Sequence, residues 1–205
     1  MKRILLLLSL ALLLCGCSRG ETGPGIPAEE GIAPYELSQE QQELLGAFGM
    51  EDSAGLFAFL APEEAITIEV TACRLTDAGT WEVTGSGAMS IGAERRPVSS
   101  LSGTVAMELR EDYSIDFNIN CAGRGSFSSE KIEFKAEALG STKAFLTQFQ
   151  PIRLNEEIPL AIMVYDSGTS MRSYTPGDYF DVSLFEGMDL VQAVTVKFSD
   201  KEIGE

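Results

Sequence analysis

The chain has 205 residues, 44% of them hydrophobic, with 31 acidic against 15 basic side chains, no histidine and a net charge of −16. That acidity excludes nucleic acid as a partner, because such binding rests on basic groups meeting phosphates. The missing histidine removes Ser-His and Cys-His nucleophile pairs, the usual zinc sites and imidazole acid–base chemistry, and no residue pattern calls for a cofactor.

Met1 is followed by Lys2, Arg3 and an apolar run from Ile4 to Leu14, ending at Leu14-Cys15-Gly16-Cys17-Ser18. A basic start, a short apolar core and a small-residue cleavage site describe an export signal. The run is too short for a membrane span, which needs about 20 residues. Leu14-Cys15-Gly16-Cys17 resembles the lipobox of bacterial lipoproteins. The resemblance covers residues 1–18. It implies a signal peptide at 1–16, cleavage before Cys17 and diacylation of the Cys17 sulfur. The protein would then sit at the extracytoplasmic face of the cell membrane, held by its lipid anchor. Two acyl chains are enough for stable anchoring.

Residues 17–35 hold Gly20, Gly23, Pro24, Gly25, Pro27, Gly31 and Pro34, with no apolar period. They read as a flexible tether. A single domain is expected over 36–205. It opens with a short helix: Ser38 and Gln41 make a capping-box pattern, Leu44, Leu45 and Phe48 share a face, and Gly49 is the stop.

From Leu56 the period falls to two. Ile66, Ile68, Val70 and Ala72 alternate with Thr67, Glu69 and Thr71. Asp77-Ala78-Gly79 turns the chain into a second strand through Trp81 and Val83, where Gly85 and Gly87 signal a bulge or a close backbone approach. A second hairpin turns at Glu111-Asp112, between Val105, Met107, Leu109 and Ile115, Phe117, Ile119. Ile132, Phe134 and Ala136 predict a further strand, and 141–150 a helical turn or short edge. Ile158 to Tyr165 is apolar on both faces and predicts a buried strand. Residues 174–189 read as a loop, and Val194, Val196 and Phe198 as the last strand. The pattern predicts an all-β, mainly antiparallel β-sandwich or jelly-roll-like domain, with a partly open barrel as the alternative.

Export makes a bridge between Cys73 and Cys121 permissible. Against it, Cys121 continues the apolar face of Ile115, Phe117 and Ile119, and Cys73 the polar face of Glu69 and Thr71. A cysteine also serves as a small buried hydrophobe, so both readings stand.

The loop after the apolar strand crowds Asp166, Arg172, Tyr174, Asp178, Tyr179, Phe180 and Asp181 together. Flat rings beside carboxylates and one Arg are what a sugar or peptide site needs. Asp166, Arg172, Tyr174, Asp178 and Tyr179 are the candidate ligand-binding residues. The competing structural reading has the rings capping the core and the acids in water. Asp166-Ser167-Gly168-Thr169 resembles the active-site turn of aspartic proteases, which need two aspartates sharing a proton. The bland reading is an Asx turn. Asp178, Asp181, Glu186 and Asp189 are oxygen donors but lack calcium-loop spacing, so no metal site is expected.

Tether, alternation and missing catalytic groups point to an extracytoplasmic binding module for a glycan, peptide or protein. A hydrolase using paired carboxylates around Asp166 and a structural envelope lipoprotein are the alternatives.

Overall fold

The computed structural model of the protein describes residues 25–95, 98, 100–134, 140–168 and 172–204. The segment expected to be an export signal, and Cys17, lie outside the described residues. The strands are β1 (Gly31–Pro34), β2 (Ala54–Leu60), β3 (Thr67–Leu75), β4 (Trp81–Ser90), β5 (Ser102–Leu109), β6 (Ile115–Asn120), β7 (Arg124–Ser128), β8 (Gly140–Phe145), β9 (Gln150–Pro151), β10 (Glu157–Asp166) and β11 (Leu190–Ser199). They form two antiparallel sheets, ordered β7-β6-β5-β2-β1-β9 and β4-β3-β11-β10-β8. The main core lies between them, built on Ile32, Phe57, Phe59, Val70, Val105, Phe117, Leu160, Val196 and Phe198. This is the expected all-β sandwich.

The domain begins earlier than residue 36. β1 pairs with β2 on one side and β9 on the other, and Ile32 is fully buried. Four residues flanked by Gly and Pro are too few to show a period, so the strand reads as tether.

Helix α1 (Gln39–Ala47) starts as predicted. Ser38 N–H donates to Gln41 Oε1 at 2.8 Å, and Gln41 N–H donates back to the Ser38 hydroxyl at 3.4 Å. Gly49, at φ +68°, follows its end.

The hairpin of β3 and β4 turns through Gly79 at φ +70°, and its register slips between Ala72 and Cys73. A Cβ on Gly85 would lie 2.6 Å from Ser129 Cα, and one on Gly87 2.2 Å from the Phe127 ring. These glycines let β4 close against β7, sealing one lateral seam of the sandwich. Both signals read from the sequence, bulge and close approach, are present. The β5–β6 hairpin turns where expected.

One expectation fails, and one open question is answered. Ile132 and Phe134 belong to no strand; they tuck against the core from irregular chain, and Ala136 lies outside the described residues. The strand in this region is β7, whose Arg-Gly-Ser start hides it. The bridge between Cys73 and Cys121 is not formed: both are free. Cys73 lies in a second apolar layer on the outer face of the five-stranded sheet, whereas Cys121 follows β6 of the other sheet.

That second layer explains why β10 and β11 are apolar on both faces. The segment after β10 folds back in two 3-10 turns, Pro176–Phe180 and Val182–Phe185. Tyr174, Tyr179 and Phe185 pack onto Cys73, Ile162, Val164, Val191 and Ala193. The strands are covered twice, by the opposite sheet and by their own connection.

Candidate functional site

The five candidate residues do not converge on one ligand surface. Asp166 is buried at the end of β10, and its Oδ2 accepts the Gly168 N–H at 3.1 Å. This is the Asx turn of the bland reading. Arg172 donates to the Leu184 carbonyl at 2.9 Å and lies 4.7 Å from the Tyr174 ring centroid. Tyr174 is buried and stacked on Phe185 at 5.2 Å. Asp178 accepts the Thr175 N–H at 2.8 Å, closing the first 3-10 turn. Tyr179 is buried against Trp81, with ring centroids 4.9 Å apart and planes 20° apart. The five residues fold the loop and glue it to the sheet.

Tyr179 ties three elements together. Its carbonyl accepts Trp81 Nε1–H at 3.1 Å, and its hydroxyl donates to Glu157 Oε2 at 2.9 Å. Burial, and then the bond to Glu157, raise its pKa. Burial, then the Glu157 charge, push the Cys73 thiol up to about 12, so it stays protonated and unreactive.

A second carboxylate does stand near Asp166. Asp189 Oδ2 accepts the Ser167 N–H at 2.5 Å. Hydrogen bonds from the Ser167 hydroxyl and then its N–H hold Asp189 below the usual carboxylate range. A dyad sharing a proton needs its two carboxylates in direct contact, about 3 Å apart. Each carboxylate instead pins a backbone N–H of the turn. Among the described residues no group of three or more acidic or cysteine side chains is placed to hold a metal.

One concavity lies beside this loop. A cleft of about 650 Å³ is lined by Leu146–Gln148, Gln150, Pro151, Arg153, Glu156–Pro159, Thr175–Gly177 and Phe180. Its origin is topological. β8 ends at Phe145, opposite Ala161, so Glu157–Pro159 of β10 have no strand neighbour on that side among the described residues. The chain leaves at Leu146 and crosses to the other sheet, where Gln150–Pro151 pair with β1. The gap at this second seam is the cleft, and the first 3-10 turn borders it.

The expected loop therefore contributes, but through Thr175, Pro176, Gly177 and Phe180. The Phe180 ring is 68% exposed, beside buried Tyr179. Of 141–150, read as a helical turn or short edge, residues 141–145 belong to the edge strand β8 and Gln150 opens the edge strand β9, but the crossing between them was not legible. One signal was available: Pro159 inside an apolar run, since proline marks an edge or bulge. The register of β10 against β11 does shift between Pro159 and Ala161.

A smaller apolar groove of about 300 Å³ runs beneath α1, lined by Leu37, Leu44, Leu45, Met50, Leu56 and Met107 among others. Among the described residues no helix is long and apolar enough to cross a membrane. No family model, no curated protein and no solved structure matches this chain.

Proposed function

We propose that the protein is an extracytoplasmic lipoprotein, anchored through Cys17, whose β-sandwich acts by binding a ligand in the cleft between the 146–151 crossing and the first 3-10 turn. The lipobox resemblance at Leu14–Cys17 supports the address. The observation that carries the binding reading is a preformed cleft with an exposed ring on a locked loop: Phe180 stands in water while its neighbour Tyr179 is clamped by Trp81 and Glu157. Volumes of about 300–1,000 Å³, apolar faces and a few directional polar groups describe small-ligand sites, and rigid scaffolds commonly carry function on loops.

Two measurements test this. Mass spectrometry of the native protein should find an acylated chain beginning at Cys17. Pull-down from envelope extracts should retain a ligand that Phe180→Ala releases. A chain still starting at Met1 refutes the address. A native protein that retains nothing, with or without Phe180, refutes the binding reading and favours a structural envelope role.

A further inference from the structure

Resting on the binding reading above, we infer that the cleft is a site for a neutral glycan chain. The cationic Arg153 sits 3.7 Å from Glu156, and Glu157 already accepts the Tyr179 hydroxyl. Arg153 and Glu156 are thus engaged with one another, and Glu157 with the Tyr179 hydroxyl. The molecule as a whole carries −16, which repels phosphorylated, sulfated or uronic ligands.

An extended peptide is disfavoured by the floor. Strand addition needs a row of free backbone donors and acceptors along an edge. The open edge of β10 is only Glu157–Pro159, and Pro159 has no N–H. Proline in such a position protects an edge against pairing.

What remains free is neutral and directional. The hydroxyl of Thr147 and the side-chain amides of Gln148 and Gln150 have no partner in the protein among the described residues, and all three line the cleft. An amide offers both donors and an acceptor, which match the adjacent hydroxyls of a sugar ring. Phe180 supplies a flat apolar face for the carbon–hydrogen side of that ring, with Pro151, Pro159 and Pro176 as further apolar lining. A neutral polyhydroxylated ring uses each of these groups and asks for no charged partner.

The chain carries its own reporter. Trp81 is its single tryptophan, and it stacks on Tyr179, adjacent to Phe180. The full-length protein is titrated with neutral tetrasaccharides of glucose, mannose, galactose and N-acetylglucosamine. A tetragalacturonate and an alternating Lys-Val octapeptide complete the panel. Trp81 emission and saturation transfer to the probe protons are read. A neutral tetrasaccharide should bind saturably. Phe180→Ala should weaken it about tenfold or more, Gln148→Ala about threefold or more, and Phe180→Trp should retain it. Phe48→Ala, a ring 72% exposed outside this cleft, should change nothing.

Binding of the octapeptide at Phe180 with no neutral sugar bound overturns the glycan inference and leaves the binding reading standing. Preference for tetragalacturonate does the same. Saccharide affinity indifferent to Phe180→Ala and Gln148→Ala overturns the assignment to this cleft. Absence of every probe overturns the glycan inference, and the envelope pull-down then decides the binding reading on its own.

Discussion

Replacing two adjacent aromatic residues should separate stability from binding. Tyr179 is 9% exposed, and its ring is sandwiched between Trp81 and the outer face of the five-stranded sheet. Truncating a buried ring of this size to alanine costs about 3–5 kcal/mol. The hydroxyl bond to Glu157 adds little, because that carboxylate is reachable by water once the ring is gone. Phe180 is 68% exposed, and an exposed substitution of this kind stays within about 0.5 kcal/mol. Urea unfolding followed by far-UV circular dichroism is the assay, since Tyr179→Ala also alters the surroundings of Trp81. With a slope of about 2 kcal/mol/M, the Tyr179→Ala midpoint should fall by roughly 1.5–2.5 M and the Phe180→Ala midpoint by under about 0.3 M. Ligand affinity should respond in the reverse order under conditions where both variants are folded. Equal midpoints would refute the claim that the loop is pinned through Tyr179.

Starting the chain at residue 36 removes β1 and its buried Ile32, so it should lose at least the ~2–5 kcal/mol of one buried isoleucine, measured against a chain starting at residue 25. Equal unfolding midpoints would show that β1 is dispensable. Gly85→Ala should destabilise by about 1–3 kcal/mol, because its Cβ meets Ser129 backbone. Gly123→Ala, facing only the Met89 methyl at 3.7 Å, should cost far less; the reverse order would refute the sealed seam. Acid should erode stability through two carboxylates. Lys131 and Ser114 hold Asp112 below the usual range, and Ser167 holds Asp189 there. A group whose folded pKa is depressed stabilises fully above its unfolded value of about 3.9, and that contribution is lost as pH falls through the folded value. The stability–pH curve below about pH 4 should therefore flatten in Asp112→Asn and in Asp189→Asn, and an unchanged acid limb in both would refute the assignment. Native Cys73 should resist a thiol reagent near pH 8 because its pKa is pushed to about 12, and denatured protein should show both Cys73 and Cys121 free; an intact bridge on non-reducing mass analysis would contradict the fold.

What is local or periodic was legible in the residues alone. The capping box at Ser38 and Gln41, the turns at Gly79 and Glu111-Asp112, and the alternation through β3, β5 and β6 each depend on residues a few positions apart. The glycines of β4 announced a close approach without saying to what. Even the doubly apolar β10 was legible, although not its cause. The rest was not, because it turns on which distant segments meet. Tyr174 and Tyr179 look like a ligand platform until the outer face of the sheet is seen to need a cover. Cys73 sits in the polar phase of its strand and is buried all the same, because the returning loop covers it. The cleft is a gap between a strand that stops at Phe145 and a chain that crosses to the other sheet at Gln150. An absence of pairing leaves no pattern in the residues that border it, and only the packed chain brings Gln148, Glu157 and Phe180 to one place.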